Sequence, residues 1–242
     1  MSPGVHLMKD DGDPFDDPKR YRRLVGKLNY LIVTRPDIAF AVSVVSQFMS
    51  APTVKHWEAL EQILCYLKRA PRLAILYSNH GYTRVECFAD ADYAGSKIDG
   101  RSTTGYCVFV GGNLISWRSK KQGVVSRSSA ESEYRAMSQS TCEIMWIHHL
   151  ITEIGLKHYT PAKLWCDNQA AFHIASNPVY HERTKHIEVD CHFIREIQEN
   201  QISTGYVKMG EKLADVFTKA LNGTRVDYLC NKLGMINIYA PA

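Results

Sequence analysis

Near Tyr82 the hydrophobic period of this chain changes, and that change does most to limit what it can fold into. Before it, apolar residues recur at helical spacing: Tyr21, Leu24, Leu28 and Leu31 form one stripe, Ile38 to Met49 a second run after Arg35-Pro36-Asp37, and Trp57, Leu60, Ile63, Leu64 and Leu67 a third, closed by Pro71. After it, Arg84 to Ala89 alternates as a strand, and Gly105 to Val110 and Asn113 to Trp117 read as two more joined by Gly111-Gly112, a pair suited to a tight hairpin. A long helix is expected from Ser129 to about Ile154, stopped by Gly155, then a strand over Lys163 to Cys166 and a short helix near Gln169. A longer helix from about His186 to Asn200, a strand at Gly205 to Lys208 and a closing helix from Glu211 to Leu221 complete the pattern. Three strands, then strands alternating with helices, predict an α/β domain: a mixed five-stranded sheet flanked by helices, preceded by a small α-helical segment. The boundaries that follow are a loose acidic leader over 1–17, a helical segment over 18–80, the sheet domain over 81–222, and a C-terminal helix and tail over 223–242.

Composition excludes several classes. A 45% hydrophobic chain of 242 residues can bury a core. Its seven cysteines lie singly, with no Cys-x-x-Cys pair, which points to packed, reduced thiols and an intracellular protein, cytoplasmic or nuclear, rather than a disulfide framework. No apolar run nears the roughly 20 residues that span a bilayer, and the first residues lack an apolar signal region, so neither a membrane nor secretion is expected. A formal charge of +4 permits nucleic-acid binding without demanding it.

Four acidic residues fall where elements begin or end: Asp90 at the end of the first strand, Glu133 in the first turns of the long helix, Asp167 at the end of the fourth strand and Asp215 in the closing helix. Singly, each has an ordinary reading as a turn former, a cap or a partner of the helix dipole. Brought together, four carboxylates would not all stay ionised without cations, and ligands that are all oxygen favour Mg²⁺ or Mn²⁺. On the long helix, Ser128-Ser129-Ala130-Glu131 matches a capping box, which gives Glu131 a structural task. Glu133 lies about 200° further round, in line with Met137, Ile144 and Ile151, and so faces the sheet. Asp90 and Asp92 share a strand face, and periodicity does not separate them.

Residues Val85-Glu86-Cys87-Phe88-Ala89-Asp90 resemble the first strand of ribonuclease H, whose terminal Asp is a metal ligand, and the resemblance selects Asp90. Ser132-Glu133-Tyr134-Arg135-Ala136, Trp165-Cys166-Asp167-Asn168-Gln169 and Lys212-Leu213-Ala214-Asp215 resemble the segments that carry the family's other three carboxylates. Arg183 to Ile187 and His192 to Glu196 are similar to copia-type long-terminal-repeat retrotransposons. Tyr21 to Gly26, Thr34 to Ile38 and Tyr66-Leu67-Lys68 resemble the thumb and connection region that precedes ribonuclease H in the copia polyprotein.

The resemblance implies hydrolysis of the RNA strand of RNA/DNA hybrids, with two Mg²⁺ ions, replaceable by Mn²⁺, held by Asp90, Glu133, Asp167 and Asp215. It also implies reverse transcriptase, or remnants of it, as a partner. The chain has no Tyr-x-Asp-Asp polymerase site, so DNA synthesis is not expected; nor does Val207-Lys208-Met209-Gly210-Glu211 hold the loop His of many ribonucleases H. Ser126, Ser128 and Ser129 open the long helix and are candidates for a substrate phosphate, beside a plain capping role. Arg118, Lys120 and Lys121 are candidates for the hybrid backbone, beside a role as a solvated sheet edge, and Asn168 for a 2′-hydroxyl contact. His181, His186, Asp190 and His192 match no zinc-finger spacing. An alternative class is a domesticated retrotransposon fragment, weak or inactive in catalysis, that binds nucleic acid or protein; integrase-like strand transfer shares the fold but not this order of carboxylates.

Overall fold

The computed structural model describes residues 6–156, 160–176 and 201–238. The N-terminal part is three helices, α1 (Pro18–Leu31), α2 (Ala39–Val45) and α3 (Val54–Arg69), with 3-10 turns at Pro36–Ile38 and Ser46–Phe48. Helix α1 starts where Asp17 accepts a hydrogen bond from the Arg20 N–H at 2.9 Å and Pro18 presets the first turn. Tyr21, Val25 and Leu28 are its buried stripe, packed with Val42, Val45, Leu60 and Ile63. The Arg35-Pro36-Asp37 run has a mechanical purpose: Arg35 grips Asp37 through two nitrogens, at 2.9 and 2.7 Å. It also donates to the Ala70 carbonyl at 2.9 Å, satisfying the end of α3. The stretch read as a loose leader is anchored near its end, where Phe15 stacks on Trp57 and Pro14 bridges Thr53.

The second part is the mixed sheet that the alternation predicted. Strands β2 (Val85–Asp92), β3 (Thr103–Val110), β4 (Asn113–Lys121), β5 (Ala162–Cys166) and β6 (Ile202–Tyr206) lie in the order β4-β3-β2-β5-β6. The first three form an antiparallel meander, turned at Gly111 and Gly112, whose φ values of 57° and 77° only glycine adopts without strain. Strands β2, β5 and β6 run parallel, the first crossover being made by α4 (Ser129–Glu153). Cys87, Ala89, Tyr106, Val108 and Leu164 pack against Met137, Ile144, Ile147 and Ile151 of α4 on one face. On the other face, Phe88, Phe109, Leu114 and Trp117 meet Phe217, Leu229 and Leu233.

Three expectations change. Strand β6 begins three residues earlier than Gly205, because its parallel register on β5 pairs Ala162 with Ile202 and Trp165 with Gly205. The closing helix over Glu211 to Leu221 is replaced by two 3-10 turns, Met209–Glu211 and Leu213–Phe217. They are separated by Lys212 in an extended conformation, whose side chain is drawn inward to the carboxylates. A short strand β1 (Leu73–Ile75), inside the stretch expected to be helical, also pairs with β7 (Met235–Asn237), which follows helix α6 (Gly223–Lys232), tying the end of that stretch to the C-terminal tail. Helix α5 (Gln169–Ser176) is present as expected, while the helix expected over His186 to Asn200 and the candidate cluster His181, His186, Asp190 and His192 lie outside the described residues.

Among the described residues, no helix is long and apolar enough to cross a membrane, and none of six cysteines is in a disulfide, four of them being buried and Cys65 and Cys142 exposed.

Candidate metal centre

Asp90 lies two residues before the end of β2 and is fully buried. Its register partner on β3 is Gly105, and that glycine creates the room for the rest of the site. A Cβ there would come within 2.6 Å of Thr218 Cγ2, 2.8 Å of Phe217 Cβ and 3.2 Å of the Ala214 carbonyl, so only glycine lets the 213–218 segment lie against the strand. That segment delivers Asp215, and its Thr218 hydroxyl donates to Asp90 Oδ2. Helix α4 delivers Glu133 from its second turn, buried as its phase predicted, and the end of β5 delivers Asp167.

Two lysines bind these four carboxylates into one cluster. Lys212, 3% exposed in its side chain, contacts Asp90 Oδ1, Asp167 Oδ1 at 2.6 Å and Glu133 Oε1 at 3.3 Å. Lys219, 42% exposed, contacts Asp215 Oδ1 at 2.9 Å and Asp90 Oδ2 at 3.7 Å. Asp90 therefore offers one oxygen to each of two cations, which between them touch all four carboxylates. Arg225 adds a third positive group, 3.4 Å from Asp215 Oδ2. The aliphatic spacing of Lys212-Leu213 carries no sign of this role, and sequence reasoning passed over Lys212, Thr218 and Lys219. The clue was the i, i+3, i+4 placement of Thr218 and Lys219 after Asp215.

The electrostatics follow from this packing. Burial would raise the Asp90 carboxyl, but Lys212 and Lys219 with the hydrogen bonds to it hold it below the usual range. Glu133 goes the other way: burial, then the Asp90 charge, push it up to about 8 despite Lys212. Its Oε2 is buried with no hydrogen-bond partner among the described residues, an acceptor aimed at a cation or a proton. Cys166 Sγ lies within 4.8 Å of oxygens of Glu133 and Asp167. Burial pushes that thiol up to about 12. A set of carboxylate oxygens that already accommodates two cations fits hard divalent ions. Asp92 lines a cavity of about 230 Å³ with Phe40, Val44, Lys97, Lys121 and Lys219, where burial raises its pKa.

The expected substrate contacts are distributed differently. Ser128 caps α4, accepting from the Glu131 N–H at 3.2 Å, while Glu131 answers to the Arg127 N–H at 2.8 Å rather than to Ser128 itself. Ser126 is buried and donates to Gln122 at 2.9 Å; Ser129 is exposed. Arg118 and Lys120 are exposed on one face of β4, whereas Lys121 points to the other face and is held by Ser96 and Asp99. Asn168 caps α5, its Oδ1 accepting from the Ala171 N–H at 3.0 Å.

No family model matches the chain. It is 41% identical over 98% of its length to the retrovirus-related Pol polyprotein from transposon RE1 of Arabidopsis thaliana. It is 38% identical over 88% to that from transposon TNT 1-94 of Nicotiana tabacum. In each case it spans about 16% of the relative's length. Among solved structures it is similar to the N-terminal RNase H domain of rv2228c from Mycobacterium tuberculosis, with a TM-score of 0.41 and 16% identity over 62% of this chain and 97% of that one. The sequence likeness runs through both the helical part and the sheet, and the chain belongs to the family of retrovirus-related Pol polyproteins of copia-type transposons, as one segment of them.

Proposed function

We propose that this segment is a ribonuclease H that hydrolyses the RNA strand of RNA/DNA hybrids inside the cell, leaving 5′ phosphate and 3′ hydroxyl ends. The observation that carries the reading is the shared carboxylate: Asp90 turns one oxygen to each of two cations, and those cations reach Glu133, Asp167 and Asp215. In this reading the same four residues hold two Mg²⁺ ions, or Mn²⁺ in their place. When bound, such a pair supplies activation of the attacking water and stabilisation of the departing 3′ oxygen.

The chain's own residues do the rest. Thr218 orients Asp90 through its hydroxyl, and Arg225 orients Asp215. Exposed Arg118 and Lys120 offer charge to the hybrid backbone, and the exposed start of α4 at Ser128 and Ser129 offers donors to a phosphate. Ser126, Lys121 and the Asn168 oxygen are engaged inside the protein, and act on substrate only by supporting these groups.

The test is cleavage of an end-labelled RNA/DNA hybrid in Mg²⁺ or Mn²⁺ by the protein and by Asp167→Asn. Removing one ligand oxygen is expected to lower the rate by about a hundredfold or more, because the ions supply several kcal/mol of charge stabilisation. Binding of the hybrid with no cleavage at any ion concentration would instead favour the alternative class, a module that keeps the fold without the chemistry.

A further inference from the structure

The two ammonium groups differ in their freedom to leave. Lys219 is 42% exposed and makes one close contact in the cluster, so solvent is within its reach. Lys212 is 3% exposed, is flanked by 3-10 turns on both sides and touches three carboxylates at once. Two full positive charges of a divalent ion and a buried ammonium do not share three carboxylates at contact distance.

We propose that Lys212 is an internal placeholder for one of the two divalent ions, so that the ions load in order. The Asp90/Asp215 position, guarded by half-exposed Lys219 and by Arg225 at 3.4 Å from Asp215 Oδ2, fills first. The Asp90/Glu133/Asp167 position fills second, and only as Lys212 withdraws. The inference rests on the two-ion reading above and adds to it a built-in competitor that makes the second ion conditional.

The physical reason for such a device is the cost of the alternative. Buried carboxylates with no counter-charge are strongly destabilising, and Lys212 neutralises them in the metal-free chain. The same contact lowers the apparent affinity for the second ion by the fraction of molecules in which the ammonium is withdrawn.

Ion binding is measured directly, by calorimetry with Mg²⁺ and by Mn²⁺ paramagnetic resonance, on the whole chain and on Lys212→Met, Lys212→Gln and Lys219→Met. The wild-type chain is expected to bind in two separated steps. Either change at Lys212 is expected to tighten the weaker step by about tenfold or more, leaving the stronger step within about twofold, whereas Lys219→Met acts on the stronger step. In parallel, the side-chain ammonium resonance of Lys212 is followed by ¹⁵N NMR in the wild-type chain. It is expected to shift or vanish with the second equivalent of Mg²⁺ and not with the first, a readout that stands even where the substituted chains fail to fold.

Ions that bind the wild-type chain and both Lys212 variants with equal affinity, or an ammonium signal unchanged at saturation, overturn the placeholder and leave the two-ion reading intact. Absence of ion binding in all four proteins overturns both.

Discussion

Glu133 shows how one residue's surroundings set its chemistry. Its carboxyl is pushed up to about 8 from an ordinary 4.5 by burial and by the Asp90 charge, so the metal-free folded chain holds a proton that the unfolded chain has released above 4.5. Because the folded state binds the extra proton, stability from this group is complete below about 4.5 and declines as pH rises through about 8. The expected result is a melting temperature, measured in chelator, that falls between pH 5 and 9, with a shallower fall in Glu133→Gln; equal slopes would remove Glu133 as the cause. Divalent ions reverse the preference by favouring the carboxylate, so ion uptake should release protons, seen as a binding enthalpy that depends on the ionisation enthalpy of the buffer.

At the scale of elements, the site depends on one strand accepting another segment at close range. Gly105 stands opposite Asp90, and the 213–218 segment lies in the space that a side chain would fill. Gly105→Ala is expected to push Thr218 and Phe217 outward, at about 1–3 kcal/mol of stability in urea unfolding. The same displacement draws Asp215 and the Thr218 hydroxyl away from Asp90, so Mg²⁺ binding should weaken as well. A variant of unchanged stability and ion affinity would mean that the segment is held by Phe217 and Val216 in the second core rather than by its fit to the strand.

Across the whole molecule, the helical part and the sheet are joined rather than strung together. Trp117 of β4 donates its indole N–H to the Ile32 carbonyl at 3.0 Å, Ser43 and Ser119 are in hydrogen-bond contact at 3.1 Å, and Ile32 and Ala39 pack into the core beside Phe217. The helical part thus buttresses the face of the sheet that carries the Asp215 segment. A chain beginning at residue 72 is expected to unfold with about 2–4 kcal/mol less stability than the full chain, from the lost burial and hydrogen bonds. An unchanged denaturation midpoint would show that the two parts are independent.

The elements and the inward phase of Glu133 were legible in the chain because each is governed by near neighbours: alternation in Val85 to Ala89, the glycine pair of the hairpin, and the position of Glu133 relative to Met137 and Ile144; the choice of Asp90 over Asp92 came from the resemblance to ribonuclease H. The closing segment misled the reading because its local pattern is helical while its conformation is set by distant partners. Lys212 is pulled out of a helix by carboxylates 45 to 122 positions earlier in the chain, and Thr218 is anchored 128 positions away on Asp90. The division of the basic residues of β4 between two faces, the pairing of β1 with β7 and the use of Ser126 and Asn168 as internal partners were likewise decided in three dimensions. Short-range preferences select the element; which charge neutralises which is a long-range question, and only the folded chain answers it.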